Sequence, residues 1–281
     1  MAAIAVAYLV GAYFTAGGLF ENLDLEDEVT VIAHRGDSKE APENTLVAIE
    51  SASENGADYA EIDVQETADG VVVVFHDSDL TRIAGLDKKI WDISYDEIRQ
   101  LDAGSWFSPE FADARIPTLA EAIASADQRI PLIIEIKLNG HEQDLVKRVV
   151  RAIEETGIES RCIVASLSRK ALEEVEELNP RLKRGYLVYQ TLGDIRRVEA
   201  DYLMVESSLA TPLVIKATHD AGKKLYVWTV NKRTKMSLLI DRGVDGIMTD
   251  SPATLVEVLE QRAGLTELER LVLRFAELVS R

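Results

Sequence analysis

From residue 29 to about residue 253 the chain alternates short β-branched or apolar runs with helix-like segments, and this order constrains the fold more than any other feature. Parallel neighbours in a sheet need a long crossover, which a helix supplies, so the alternation points to a parallel sheet wrapped by helices. The runs at residues 29–33, 58–64, 132–137, 162–167, 182–189, 202–206, 224–230 and 246–249 read as strands. Helical periodicity shows in Leu145, Val146, Val149, Val150 and Ile153, while Asn179-Pro180, Ala221-Gly222 and Arg242-Gly243 mark helix exits. Between Tyr189 and Tyr202 there is room for a short helix at most, over residues 191–200. With 281 residues available, the expectation is an α/β chain forming one (β/α)8 barrel, a TIM barrel, which takes about 250 residues.

One segment breaks the alternation. Val71 to Phe75 is strand-like, yet too close to the run ending at Val64 for a parallel crossover. It predicts a β-hairpin after the second strand, centred near Asp69, with His76 opposite Asp63. A helical insertion follows over residues 77–131, with helices at 95–101 and 119–126. Its Ala103-Gly104-Ser105-Trp106-Phe107 loop is suited to walling a pocket.

Polar residues cluster where the apolar strands stop: His34-Arg35-Gly36, Glu61-Ile62-Asp63, His76-Asp77 and Glu135-Ile136-Lys137. A parallel barrel gathers such positions at one mouth. Alternate strand residues share a face, so Glu61 and Asp63 point the same way and repel unless a cation or proton lies between them. With Glu135 they offer hard oxygen donors suited to one divalent cation, Ca2+ or Mg2+, and poorly suited to structural zinc. His34 and His76 are candidate general acid and base, because imidazole titrates near neutrality. Arg35 and Lys137 offer positive charge to a phosphate, although either can instead pair with a neighbouring acid. Pro42-Glu43-Asn44-Thr45 reads as a helix start with Asn44 as N-cap and Glu43 placed to hold Arg35. Trp228 is core filler or the apolar wall of the pocket. His141 and His219 read as structural, though the His141 loop also borders the mouth.

The formal net charge of −18 argues against non-specific nucleic-acid binding, so an anionic substrate needs a local positive patch or a metal. A single cysteine, Cys162, excludes a disulfide framework and reads as a small buried apolar residue. Residues 2–20 carry no charge and, at ~1.5 Å per residue, just span a bilayer core. The expectation is a membrane anchor, or the last span of a larger membrane region; a signal peptide or an apolar helix packed on the barrel are the alternatives. Lys and Arg are absent from residues 21–28, so nothing holds that flank in the cytoplasm. A membrane-associated protein with an extracytoplasmic catalytic domain is therefore expected, with secreted or cytoplasmic placement as alternatives. The tail, 263–281, spaces Leu268, Leu271, Val272, Phe275, Leu278 and Val279 along one face of an amphipathic helix. Such a face packs on the barrel, or meets a membrane surface or a second copy.

Taken in order, His34-Arg35-Gly36, Pro42-Glu43-Asn44-Thr45, Glu61-Ile62-Asp63-Val64, Phe75-His76-Asp77, Glu135-Ile136-Lys137 and Val227-Trp228-Thr229-Val230-Asn231 resemble the motifs of the glycerophosphodiester phosphodiesterases. The resemblance covers about residues 29–253. It implies a barrel whose Ca2+ or Mg2+ is held by Glu61, Asp63 and Glu135, with His34 and His76 as the acid–base pair. It also implies Arg35 and Lys137 on the phosphate and Trp228 lining the alcohol pocket. The apolar N-terminus is similar to the membrane-associated Gram-positive branch. The implied reaction converts a small-molecule glycerophosphodiester to sn-glycerol 3-phosphate and an alcohol. A lysophospholipase D-type phosphodiesterase is one alternative. A non-catalytic lipid- or phosphate-binding barrel is another, and it would be expected to have lost some of the acids or histidines that this chain keeps.

Overall fold

A computed structural model of the chain describes residues 28–190 and 198–265. The apolar segment 1–20, residues 191–197 of the short connection and the tail from residue 266 lie outside the described residues. Strand β1 (Thr30–Ala33) leads through α1 (Leu46–Glu54) to β2 (Tyr59–Glu66) and a short β3 (Val72–Val74). Two single-turn helices, α2 (Thr81–Ala84) and α3 (Tyr95–Ile98), precede α4 (Leu119–Ala126) and β4 (Leu132–Ile136). Alternation then resumes with α5 (Leu145–Thr156), β5 (Cys162–Ser166), α6 (Arg169–Leu178) and β6 (Lys183–Val188). The chain closes with β7 (Tyr202–Glu206), α7 (Pro212–Asp220), β8 (Lys224–Trp228), α8 (Arg233–Arg242), β9 (Gly246–Thr249) and α9 (Pro252–Ala263).

β1 pairs in parallel with both β9 and β2, so eight parallel strands close into a barrel, and β3 adds to β2 antiparallel. The pleat divides each strand between two cores. Ile62, Val64, Ile134, Ile136 and Val164 face outward against Ile49, Leu119, Val149 and Ile153 of the helices. Ile32, Ile133, Ile163, Leu187, Met204, Tyr226 and Met248 fill the interior. Burying one such side chain stabilises the fold by roughly 1.5–3 kcal/mol. The inner-face positions one step further along are the strand ends that form the mouth.

Two expectations change here. The 119–126 helix does not belong to the insertion: Leu119, Ala122, Ile123 and Ala126 pack with Ile49, Ala52, Leu132 and Val146, making α4 the crossover between β2 and β4. The insertion proper ends before it and has its own core, in which Leu80, Ile83, Ile90, Ile93, Ile98, Ala103 and Ile116 pack on Val73 and Phe75 of the hairpin. Within it the expected 95–101 helix shrinks to α3, because Asp102 draws the backbone N–H groups of Gly104 and Ser105 into a turn.

The hairpin register also differs by one residue. Val72, Val73 and Val74 oppose Glu66, Gln65 and Val64, so Phe75 rather than His76 stands opposite Asp63. The Phe75 N–H donates to the Asp63 carbonyl at 2.9 Å. Thr67 sets this register by exchanging backbone and side-chain bonds with Val71, which closes the turn on Asp69. Gln65 holds the end of the hairpin: its Nε2 donates to the carbonyls of Phe75, His76 and Asp77 at 2.9, 3.0 and 2.8 Å. Those bonds bend the chain after β3 and return His76 to the mouth.

Candidate active site

Glu61 and Asp63 lie on the inner face of β2 and are almost fully buried. Glu135 of β4 is the direct partner of Asp63 in the sheet register. Glu61, Asp63 and Glu135 each offer an oxygen within 4.8 Å of the others, an acidic group able to hold a metal ion. Burial, then the charges of Asp63 and Glu135, push the Glu61 carboxyl well above its usual range. Burial and Asp63 likewise push Glu135 up to about 7. Burial also acts on Asp63, but Lys137, Arg35 and His76 outweigh it and hold that carboxyl down at about 2. Glu61 Oε1 is buried and accepts no hydrogen bond. An orphaned carboxylate oxygen in an all-oxygen cluster that resists full ionisation suits a hard divalent cation.

The β1–α1 loop wraps this cluster. The Arg35 N–H donates to Glu61 Oε2 at 2.8 Å, and the Gly36 N–H donates to the Glu61 carbonyl at 2.9 Å. Arg35 and Gly36 both have positive φ, and a Cβ on Gly36 would lie 2.7 Å from Ala48, so only glycine permits this close approach. The Arg35 guanidinium donates to Glu43 Oε1 at 2.7 Å and sits 3.5 Å from Asp63 Oδ2. Asn44 does not cap the helix as expected. Thr45 does, accepting from the Ala48 N–H, while Asn44 clasps Asp63. Its Nδ2 donates to Asp63 Oδ2 at 2.9 Å and its Oδ1 accepts the Asp63 N–H at 3.0 Å. Lys137 spans two of the acids, 2.8 Å from Glu135 Oε1 and 3.2 Å from Asp63 Oδ1.

Each candidate histidine has a carboxylate on Nδ1. His34 meets Asp250 Oδ1 at 2.6 Å, and His76 meets Asp77 Oδ1 at 2.8 Å. A carboxylate at Nδ1 fixes the tautomer and leaves Nε2 for proton transfer. Asp250 is itself held by Ser38 and Asn231. Burial lowers the proton affinity of His76; Asp63 opposes this, and Lys137 and Arg35 add to it.

Trp228 is half-buried at the end of β8, where its Nε1 donates to the Met204 carbonyl and its ring stacks on Tyr189 at 6.0 Å. His141 stacks on Trp91 with ring centroids 4.4 Å apart, and His219 bonds Asp245 away from the acids. Cys162 is buried, which pushes its thiol up to about 12 and leaves it unreactive. Among the residues around the cluster, Asp250, Asn231 and Asn44 received no site role from sequence. Asp250 directly follows β9, so applying the strand-end rule to the last strand as well would have found it.

The sequence matches the glycerophosphoryl diester phosphodiesterase family over residues 34–254. The chain belongs to that family. A glycerophosphodiester phosphodiesterase of Caldanaerobacter subterraneus subsp. tengcongensis is 39% identical over 241 residues, covering 82% of this chain and 98% of its own. The structure of an Oleispira antarctica phosphodiesterase in complex with the product sn-glycerol-3-phosphate has a TM-score of 0.79 and 31% identity, covering 82% of this chain and 96% of that one. A glycerophosphodiester phosphodiesterase from Parabacteroides distasonis has a TM-score of 0.73 at 30% identity, covering 85% and 99%. As a member of this family the chain is a phosphoric diester hydrolase.

Proposed function

We propose that the chain hydrolyses glycerophosphodiesters to sn-glycerol 3-phosphate and an alcohol, using His34 and His76 as its acid–base pair. The observation that carries this reading is the pairing of two carboxylate-oriented imidazoles with a buried three-carboxylate cradle at one barrel mouth. The product held by the Oleispira antarctica phosphodiesterase supports the choice of substrate.

Glu61, Asp63 and Glu135 would hold Ca2+ or Mg2+, which when bound spreads phosphate charge and acidifies a coordinated hydroxyl. The chain's own groups do the rest. Arg35, held by Glu43, and Lys137 bind the phosphate oxygens. Burial lowers the proton affinity of His76 and so favours its neutral ring, whose Nε2 takes the proton of the glycerol 2-hydroxyl as that oxygen bonds to phosphorus. His34, steered by Asp250, delivers a proton to the leaving alcohol oxygen as the original P–O bond breaks. Water then opens the cyclic phosphate with the two roles reversed. Fixed charge around phosphorus carries much of the acceleration.

Away from the cradle strands, Leu167 and Tyr189 are exposed at the ends of β5 and β6, and Tyr189 stacks on Trp228. That apolar rim favours a second reading, in which the same chemistry acts on a lysophospholipid. The test measures sn-glycerol 3-phosphate release from glycerophosphocholine, and choline release from lysophosphatidylcholine, by the wild type and by His34→Ala and His76→Ala. Each variant is expected to lose about 10^2- to 10^4-fold in kcat while its thermal unfolding stays near that of the wild type. Near-normal turnover in either variant would remove the assignment.

A further inference from the structure

We propose that Arg82 is a positioning residue that ties the phosphate-binding arginine and the catalytic histidine into one frame, an assignment resting on the roles proposed for Arg35 and His76. Its guanidinium uses all three nitrogens on two carboxylates. Nε lies 2.7 Å from Asp77 Oδ2, while Nη1 and Nη2 lie 2.9 and 2.7 Å from Glu43 Oε2 and Oε1. Each of those carboxylates is shared with the site. Asp77 Oδ1 holds His76 Nδ1 at 2.8 Å, and Glu43 Oε1 also accepts from Arg35 Nη1 at 2.7 Å. A continuous path of charged contacts therefore runs from His76 through Asp77, Arg82, Glu43 and Arg35 to Asp63.

The plane of Arg82 is set by more than its ion pairs. Its Cζ lies 5.4 Å from the centre of the Trp106 ring, and the Trp106 Nε1 donates to the Ala103 carbonyl at 2.8 Å. Flanking Leu80 and Ile83 are buried in the insertion core and fix the short helix α2 that carries Arg82. The Arg82 side chain is 42% exposed, and ion pairs so open to water add little to stability. Its partners Glu43 and Asp77 are 12% and 26% exposed and have their other contacts inside the site. Arg82 touches no reacting atom, so its effect passes through orientation. Losing the fork would free Glu43 to swing with Arg35 and Asp77 to swing with His76. It would also leave Asp77 without its cation, alongside the other charged groups that face His76, namely Asp63, Lys137 and Arg35.

The test compares R82K, R82Q, R99Q and H76A in the full chain, with kcat and KM for glycerophosphocholine measured across pH. R82K and R82Q are expected to lose about 10- to 100-fold in kcat/KM, because outer partners that orient a functional group typically carry that much and a lysine cannot bridge two carboxylates. KM should rise in both, and in R82Q, which removes the positive charge, the acidic limb of the kcat/KM profile should move to higher pH as Asp77 acts undiluted on His76. R99Q removes an exposed pair with Asp96 in the same insertion and is expected to change neither quantity. R82K keeps the charge and the aliphatic stem, so it reports on a folded protein even if R82Q unfolds. Wild-type kcat/KM and KM in R82K, beside an inactive H76A, would overturn the role of Arg82 alone. An active H76A would overturn the reading on which that role stands.

Discussion

Asn44 shows how one side chain can be read correctly in type and wrongly in use. An Asn ahead of an apolar run has the signature of an N-cap, and Thr45, one position later, has it too. The positive φ of Asn44 turns its amide away from the helix and onto Asp63, and that choice depends on a strand nineteen residues away in the chain. Glu61, Asp63, Glu135, His34 and His76 were legible as candidate site residues because each falls near the end of an apolar run. The partners that aim them were not, since Asp250 and Asn44 reach their targets through folding. Replacing Asn44 with Ala leaves the buried Asp63 N–H unpaired and Asp63 Oδ2 with only the Arg35 guanidinium, 3.5 Å away, beside it. The expected cost is roughly 1–3 kcal/mol of stability, read from the urea midpoint at constant m-value, together with weakened metal retention. An unchanged midpoint would mean that Asn44 does not hold Asp63.

Parallel register is what turns separate residues into a cradle. Asp63 and Glu135 become neighbours because β2 and β4 pair at those positions, and the eight barrel strands were legible from their apolar runs. Register and the ownership of helices were less legible. A turn closed by Thr67 moves His76 by one position, and α4 looks like any short amphipathic helix until its partners are known. The cradle also fixes a pH dependence. In the metal-free protein burial raises Glu135 to about 7 and Glu61 above its ordinary value, so between about pH 4.5 and 7 the folded state binds more protons than the unfolded state. These two carboxyls make stability fall as pH rises through that window, and the lowered proton affinity of His76 offsets part of the fall. Asp63, held at about 2, acts the other way and only below about pH 4. Thermal unfolding of chelator-treated protein should therefore begin at lower temperature at pH 7.5 than at pH 5. A melting temperature that rises over that interval would contradict the raised carboxyls.

At the scale of the whole molecule the barrel divides its mouth. The β9–β1–β2–β4 side carries His34, Arg35, the carboxylate cradle and Lys137, with His76 delivered by the hairpin. The remaining side presents apolar residues around Trp228. An overall charge of −18 does not set this local pattern; the cationic groups lie within the acidic cluster and are held there by it. The division was legible for the polar half because its residues fall in recognisable strings. It was less so for the apolar half, where Leu167 and Tyr189 look like any strand residue until they are found exposed.

The reaction proposed for this chain is phosphodiester hydrolysis at two histidines beside a carboxylate-held cation. Its most direct test is sn-glycerol 3-phosphate release from glycerophosphocholine by metal-depleted protein, before and after addition of Ca2+ or Mg2+. Turnover is expected to vanish on depletion and return with one of the two ions in the wild type, but not when Glu61→Gln removes a cradle carboxylate. Turnover indifferent to depletion, or full recovery in the Glu61 variant, would contradict the account.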